Sequence, residues 1–123
     1  MKATKTDLKE RLSHASEINI TVTGRKSGRK ITNPVWFVLE GAQVWLLPVR
    51  GSDSDWYKNI LKNPSMRIEA GGEEIEVRPQ PITDGKVVKS VVEKFREKYG
   101  AGDVKKYYSK LDVAVEASIS PAR

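Results

Sequence analysis

A chain of 123 residues without a single cysteine has no disulfide framework, no thiolate nucleophile and no zinc–thiolate site, and it is long enough to bury a core as one domain, expected over residues 1–123. Its 22 Lys and Arg against 16 Asp and Glu leave a net charge of +6, which favours anionic partners such as phosphates, carboxylates or nucleic acid. No apolar run approaches the roughly 20 residues of a membrane span and no apolar signal core opens the chain, so the expected setting is cytoplasmic, away from the membrane.

Lys5 to His14 predicts a short helix, with Asp7 as cap, Glu10 completing a capping box, and Leu8, Leu12 and Ala15 as its apolar stripe. His14 is the only histidine, and it is read as a bystander with no carboxylate or second histidine beside it. Ile18 to Val22 alternates and predicts the first strand; Ile31 to Leu39 predicts the second and Gln43 to Val49 the third. Pro34 and Pro48 interrupt these last two. Proline cannot donate to a ladder, so the two together predict a local break in pairing, where a ligand could take up free backbone groups.

Ser54 or Asp53 is expected to cap a helix from Asp55 to Lys62 that Asn63-Pro64 ends, with Trp56, Ile60 and Leu61 inward and Tyr57 and Lys58 toward solvent. Gly71-Gly72 is a two-residue turn joining strands Met66 to Ala70 and Glu73 to Pro79. Thr83 or Asp84 starts the longest helix, Gly85 to Tyr99, whose stripe of Val88, Val91, Val92, Phe95 and Tyr99 packs on the sheet. Gly100 stops it, Lys105 to Tyr108 reads as a mixed loop, Val113 to Ile119 as a final strand, and Ser120 to Arg123 as a frayed tail. About six strands and three helices result, with hairpin-sized links too short for parallel crossovers. The expected fold is mainly β with α (α+β), an antiparallel barrel-like sheet with flanking helices.

The chemistry concentrates in one turn. Four of the eight residues from Thr23 to Lys30 are cationic, and Gly24 and Gly28 punctuate them. Such a turn suits a phosphate or a polycarboxylate, with Arg25 able to clamp two oxygens, and Arg50 could point into the same space. A solvated hairpin tip explains the same residues equally well. The remaining inventory is thin: no His–Glu metal pattern, no Gly-x-Ser-x-Gly, no dinucleotide or Walker glycine spacing. An enzyme built from these residues takes its reactive group from a cofactor. A nucleic-acid-binding small barrel is the alternative from another class, with Trp36, Trp45 and Trp56 as a stacking surface, although the basic residues are confined to one turn.

Thr23-Gly24-Arg25-Lys26-Ser27-Gly28, then Asn33-Pro34, then Trp56-Tyr57-x-Asn59-x-x-x-Asn63-Pro64 resembles the deazaflavin-dependent nitroreductase family of flavin and deazaflavin oxidoreductases. The resemblance implies an FMN-binding-like split β-barrel and hydride transfer between a reduced deazaflavin (coenzyme F420) and a small electrophilic acceptor such as a quinone, an enone or a nitro compound. It places the coenzyme's phosphate and tail at Arg25, Lys26 and Ser27, and its ring along Thr32, Asn33, Pro34, Val35 and Trp36. Pro48, Val49 and Arg50 would close the pocket, Trp56 and Asn59 would flank it, and Tyr107 or Tyr108 would line the substrate side. Val49 and Arg50 stand where members that reduce bulky nitro compounds carry a small hydroxyl residue and a lysine. The nearest alternative keeps the fold and exchanges the cofactor for FMN. No catalytic side chain and no metal is implied, and a homodimer with the cofactor at the interface is a known arrangement of such barrels.

Overall fold

A computed structural model of the chain describes residues 5–119. In chain order it contains α1 (Lys5–Ser13), β1 (Ile18–Thr23), β2 (Lys30–Val35), β3 (Phe37–Glu40), β4 (Gln43–Leu46), a 3₁₀ turn (Gly51–Asp53), α2 (Asp55–Lys62), β5 (Met66–Ala70), β6 (Glu73–Val77), β7 (Gln80–Ile82), α3 (Gly85–Tyr99), α4 (Ala101–Tyr107) and β8 (Ala114–Ser118). The strands form two four-stranded antiparallel sheets, ordered β2-β1-β5-β6 and β3-β4-β8-β7.

The predicted second strand is therefore two strands in two sheets. Its first half pairs with β1, where Asn19 faces Pro34 and Ile18 faces Val35, and its second half pairs with β4. Only Trp36 separates them. Pro34 marks the neighbourhood of the break, as expected of a residue that cannot donate, and β2 is an edge strand of its sheet. The fifth predicted strand, Glu73 to Pro79, stops short: β6 ends at Val77, and Arg78-Pro79 leads into β7, an unpredicted strand that Pro79 and Pro81 had concealed.

Alternation sorts the side chains into two cores. Ile18, Ile20 and Val22 of β1, Val44 and Leu46 of β4, and Met66 and Ile68 of β5 point between the sheets, and Leu8, Leu12, Trp56 and Ile60 of α1 and α2 cover them. The opposite face of the second sheet holds Trp45 and Ala114, and α3 and α4 pack on it through Val88, Val91, Val92, Phe95 and Val104. The predicted α3 stripe is thus in place, and the Asp84 carboxylate caps its start by accepting from Lys86 N–H (2.9 Å) and Val87 N–H (3.3 Å).

Other expectations change. The first helix begins at Lys5, ahead of Asp7, so Asp7 lies inside it rather than at its cap. His14 does have a carboxylate at hand, Glu10 one turn back at 3.2 Å, in an exposed pair. On α2, Tyr57 is buried and Leu61 is exposed, the reverse of the expectation. At about 100° per residue, Trp56 and Ile60 centre an arc that Tyr57 and Asn59 border, and Leu61 falls outside it. The predicted loop Lys105 to Tyr108 is mostly helix, α4, which starts directly after the positive-φ Gly100 (φ +95°). The expected tail, 120–123, lies outside the described residues.

Candidate functional site

The site is assembled where the chain passes from one sheet to the other. Trp36 at the crossing stacks on Tyr99 of α3, ring centroids 4.2 Å apart and planes 6° from parallel. The Tyr99 hydroxyl accepts from Phe37 N–H (3.1 Å) and donates to Ser16 C=O (2.7 Å), with Phe37 C=O also in reach at 2.9 Å. Burial pushes the Tyr99 phenol up to about 12, against a smaller lowering by Phe37. Lys98, one residue earlier, donates to Phe37 C=O (2.8 Å) and lies 3.6 Å over the Phe37 ring, where burial lowers its pKa. Tyr107 meets Trp36 edge-on at 5.6 Å and Tyr108 lies tilted against it at 6.0 Å. The crossing is thereby held to α3 and α4 by aromatic packing and by hydrogen bonds to its own backbone.

Beside Trp36 opens a cleft of about 300 Å³. Pro34, Val35, Trp36, Val49, Trp56, Tyr107 and Tyr108, all predicted site residues, line it, joined by Leu47 and Glu17. Its walls are mostly aromatic and apolar. The Tyr108 phenol is driven upward, first by burial and then by Tyr99, so it stays protonated through the neutral range. Glu17, the residue before β1, is exposed and has no ion-pair or hydrogen-bond partner among the described residues.

A second pocket, about 270 Å³, is built from the basic turn: Gly24, Arg25, Lys26 and Ser27, with Ile31 of β2 and Asp55 and Asn59 of α2. Here Arg25 is not free to clamp. The buried Asn59 Oδ1 accepts from the Arg25 backbone N–H (3.1 Å) and from Nη1 (2.8 Å), and Asp55 receives Nη1 on its carbonyl (3.3 Å) and Nη2 on its carboxylate (3.5 Å). Arg50 Nη2 reaches the same carboxylate at 3.9 Å, so the two arginines do converge, on Asp55. Lys26 and Arg29 are exposed, and their side chains have no partner among the described residues. The turn needs its glycines: Gly28 has φ +73°, and a Cβ on Gly24 would meet Ser27 Oγ at 2.9 Å.

The two pockets flank the same structural stretch. Trp56 lines one, and Asp55 and Asn59 line the other; Pro34 and Val35 line one, and Ile31 the other. Thr32, Asn33, Pro48 and Arg50 line neither: the Thr32 hydroxyl bonds Thr21 (2.8 Å) and Pro48 is buried. Sequence reasoning missed Glu17, Asp55 and Tyr99. Tyr99 stood in the predicted helix stripe as core, and a charged residue at a strand start or a helix N-terminus carries no distinguishing signal. The three tryptophans offered as a stacking surface for nucleic acid are buried or half-buried.

Two antiparallel sheets sharing an interior, with the chain crossing between them at a ligand-sized cleft, define a split β-barrel, and solved structures agree. An F420-H2-dependent reductase (FDR-A) is 20% identical with TM-score 0.66, over 84% of this chain and 94% of that one. A chain solved as a domain-swapped dimer is 19% identical with TM-score 0.67, over 92% and 96%. A candidate pyridoxamine 5'-phosphate oxidase from Listeria innocua is 12% identical with TM-score 0.69, over 92% and 90%. The chain belongs to the family described as "Uncharacterized protein conserved in bacteria (DUF2255)", whose profile matches residues 8–119. The split-barrel expectation is borne out, and no described helix is long and apolar enough to cross a membrane.

Proposed function

We propose that this protein is an oxidoreductase that binds a deazaflavin coenzyme of the F420 type and reduces a small electrophilic acceptor. The observation that carries the reading is the placement of an aromatic cleft and a cationic pocket on two sides of one stretch of β2 and α2. A planar ring needs apolar walls, and an anionic tail needs cations and backbone amides within reach; these residues fit such a group. The likeness of the fold to an F420-H2-dependent reductase supports the same assignment.

In this reading Trp36, Trp56, Val49, Pro34 and Val35 wall the ring, with Thr32, Asn33 and Pro48 shaping the strands behind it. Lys26 and Ser27 hold the phosphate and tail with Arg50, and Arg25, engaged by Asn59 and Asp55, fixes the turn that presents them. When bound, the coenzyme supplies a hydride to the acceptor. The chain's own residues orient and bind. Asn59 fixes the Arg25 backbone and guanidinium, so the turn is presented in one geometry. The apolar walls exclude water from the cleft, and Tyr107 and Tyr108 face the acceptor side. The Tyr108 hydroxyl, held protonated by burial, serves as a hydrogen-bond donor and is a poor source of a proton. No strong acid or base is required of the protein.

The partners of this reading are a small-molecule acceptor and a second copy of the chain, the latter supported by a similar chain solved as a domain-swapped dimer. Sedimentation at micromolar concentration tests the dimer. The assignment itself is tested by fluorescence titration of the purified protein with F420 and with FMN. Tight F420 binding and weak FMN binding uphold it. The reverse moves the protein to the flavin branch of the same fold, and binding of neither overturns it.

A further inference from the structure

The aromatic cleft carries one charge, and it is negative. Glu17 shares the lining with Trp36, Trp56, Tyr107 and Tyr108, and no arginine or lysine lines the cleft. Its carboxylate has no ion-pair or hydrogen-bond partner among the described residues. In a protein of net charge +6, this acid shares a cleft with four aromatic rings and no lining cation. Electron-rich ring faces attract cations, and a neighbouring carboxylate adds Coulomb attraction. One lining ring already makes such a contact: Lys106 Nζ lies 5.3 Å over the Tyr107 ring.

We propose that the cleft is a binding site for planar aromatic cations, with Glu17 as the residue that selects for positive charge. As a statement about turnover it rests on the reductase reading and names the acceptor class of that site: an N-alkylated nitrogen heterocycle of pyridinium or quinolinium type. In such a reaction one C–H bond breaks on the reduced coenzyme and one forms on a ring carbon of the cation. Two electrons pass with the hydride, the oxidised coenzyme releases its remaining N–H proton to solvent, and the acceptor's charge is discharged without a proton from the protein. That suits a cleft whose buried tyrosine is a weak acid.

The test is calorimetric binding of N-methylquinolinium and of its neutral isostere 1-methylnaphthalene to the full chain, with and without bound coenzyme. The cation is expected to bind about tenfold more tightly than the isostere. In Glu17→Gln that preference should fall to within about threefold, with the neutral compound unaffected. Glu17 is exposed, so the variant folds, as its circular dichroism will verify. Equal binding of the two compounds by the wild type, or an unchanged preference in Glu17→Gln, overturns the proposal. Loss of cation binding once coenzyme is bound overturns it as an acceptor site. Coenzyme bound without any cation binding refutes this proposal alone. Cation binding without coenzyme binding refutes the reductase reading and leaves the cation site standing.

Discussion

Asn59 is the buried contact on which the basic turn depends. At 4% exposure its Oδ1 accepts the Arg25 backbone N–H at 3.1 Å and Nη1 at 2.8 Å. Asn59→Ala removes one neutral bond worth about 1 kcal/mol and one charge-assisted bond worth about 2 kcal/mol. The Arg25 side chain is 28% exposed, so water recovers part of the second, and about 2 kcal/mol is the expected loss. Unfolding entropy of about 2.1 cal/mol/K per residue over the 123 residues converts that to a fall in Tm of about 8 °C. Urea unfolding followed by tryptophan fluorescence measures it. Asn59→Asp keeps the accepting oxygen and should retain most of the stability. The same Asn59→Ala variant should weaken coenzyme binding by about tenfold, because a turn no longer held in one geometry loses its preorganisation. An alanine variant as stable as the wild type, or an aspartate variant as damaged as the alanine one, refutes this account of the turn.

Lys26→Ala should leave stability within about 0.5 kcal/mol of wild type, since its exposed side chain has no hydrogen-bond or ion-pair partner among the described residues, yet raise the coenzyme Kd about tenfold and flatten its salt dependence. Asp55→Asn releases Arg25 and Arg50 from a carboxylate at 3.5 and 3.9 Å, so F420 should bind about threefold more tightly; weaker binding would show that Asp55 positions the arginines instead of competing for them. Gly51→Ala should cost about 2 kcal/mol or more in urea unfolding, because φ is +53° and the new Cβ would lie 2.0 Å from Asp112 Oδ1. Stability should fall between about pH 10 and 12. The Tyr99 phenol, raised from 10 to about 12 on folding, keeps its proton in the native state while the unfolded chain loses it, and buried Tyr108 shifts in the same sense. Lys98, lowered by burial, works in the opposite direction over the lower part of that range. A flat urea midpoint across the window would contradict the burial of the two phenols.

How much of this could be read from residue order is best seen at Trp36. Pro34 announced a break in pairing, because the missing N–H is a local and unconditional property. That the break would hand the chain to a second sheet was not legible, since Ile31 to Leu39 is as suitable for one strand as for two, and the partners that decide, β1 and β4, are set by the whole topology. The α3 stripe was legible because five positions repeat one helical period, whereas α2 offers only two turns, too few to fix the edge of its buried arc at Tyr57 rather than Leu61. At the site, the residue types that bear charge in a tight run, Arg25 and Lys26, stood out. Their difference did not: Arg25 is spent on Asn59 and Asp55, and Lys26 has no side-chain partner among the described residues, a distinction made by a helix 30 residues away in sequence. Tyr107 and Tyr108 line the cleft from the last residue and the C-cap of a helix that the sequence did not announce, because Val104 between the lysines and Gly102 is buried and anchors α4 to α3.

The crossing at Trp36 gives the cleft a mechanical character. Its walls come from the last residues of one sheet, from the strand end after the other sheet's β4, and from α4, so a ligand seated there is a rivet through three layers of the fold. Global unfolding must eject it, and the native state gains RT ln(1 + [L]/Kd), about 2.7 kcal/mol at a hundredfold excess over Kd. For a chain of this size that is a rise in melting temperature of about 10 °C, large enough for a plate of small molecules to be sorted by heat alone. The protein can therefore nominate its own ligands before any reaction has been assigned to it.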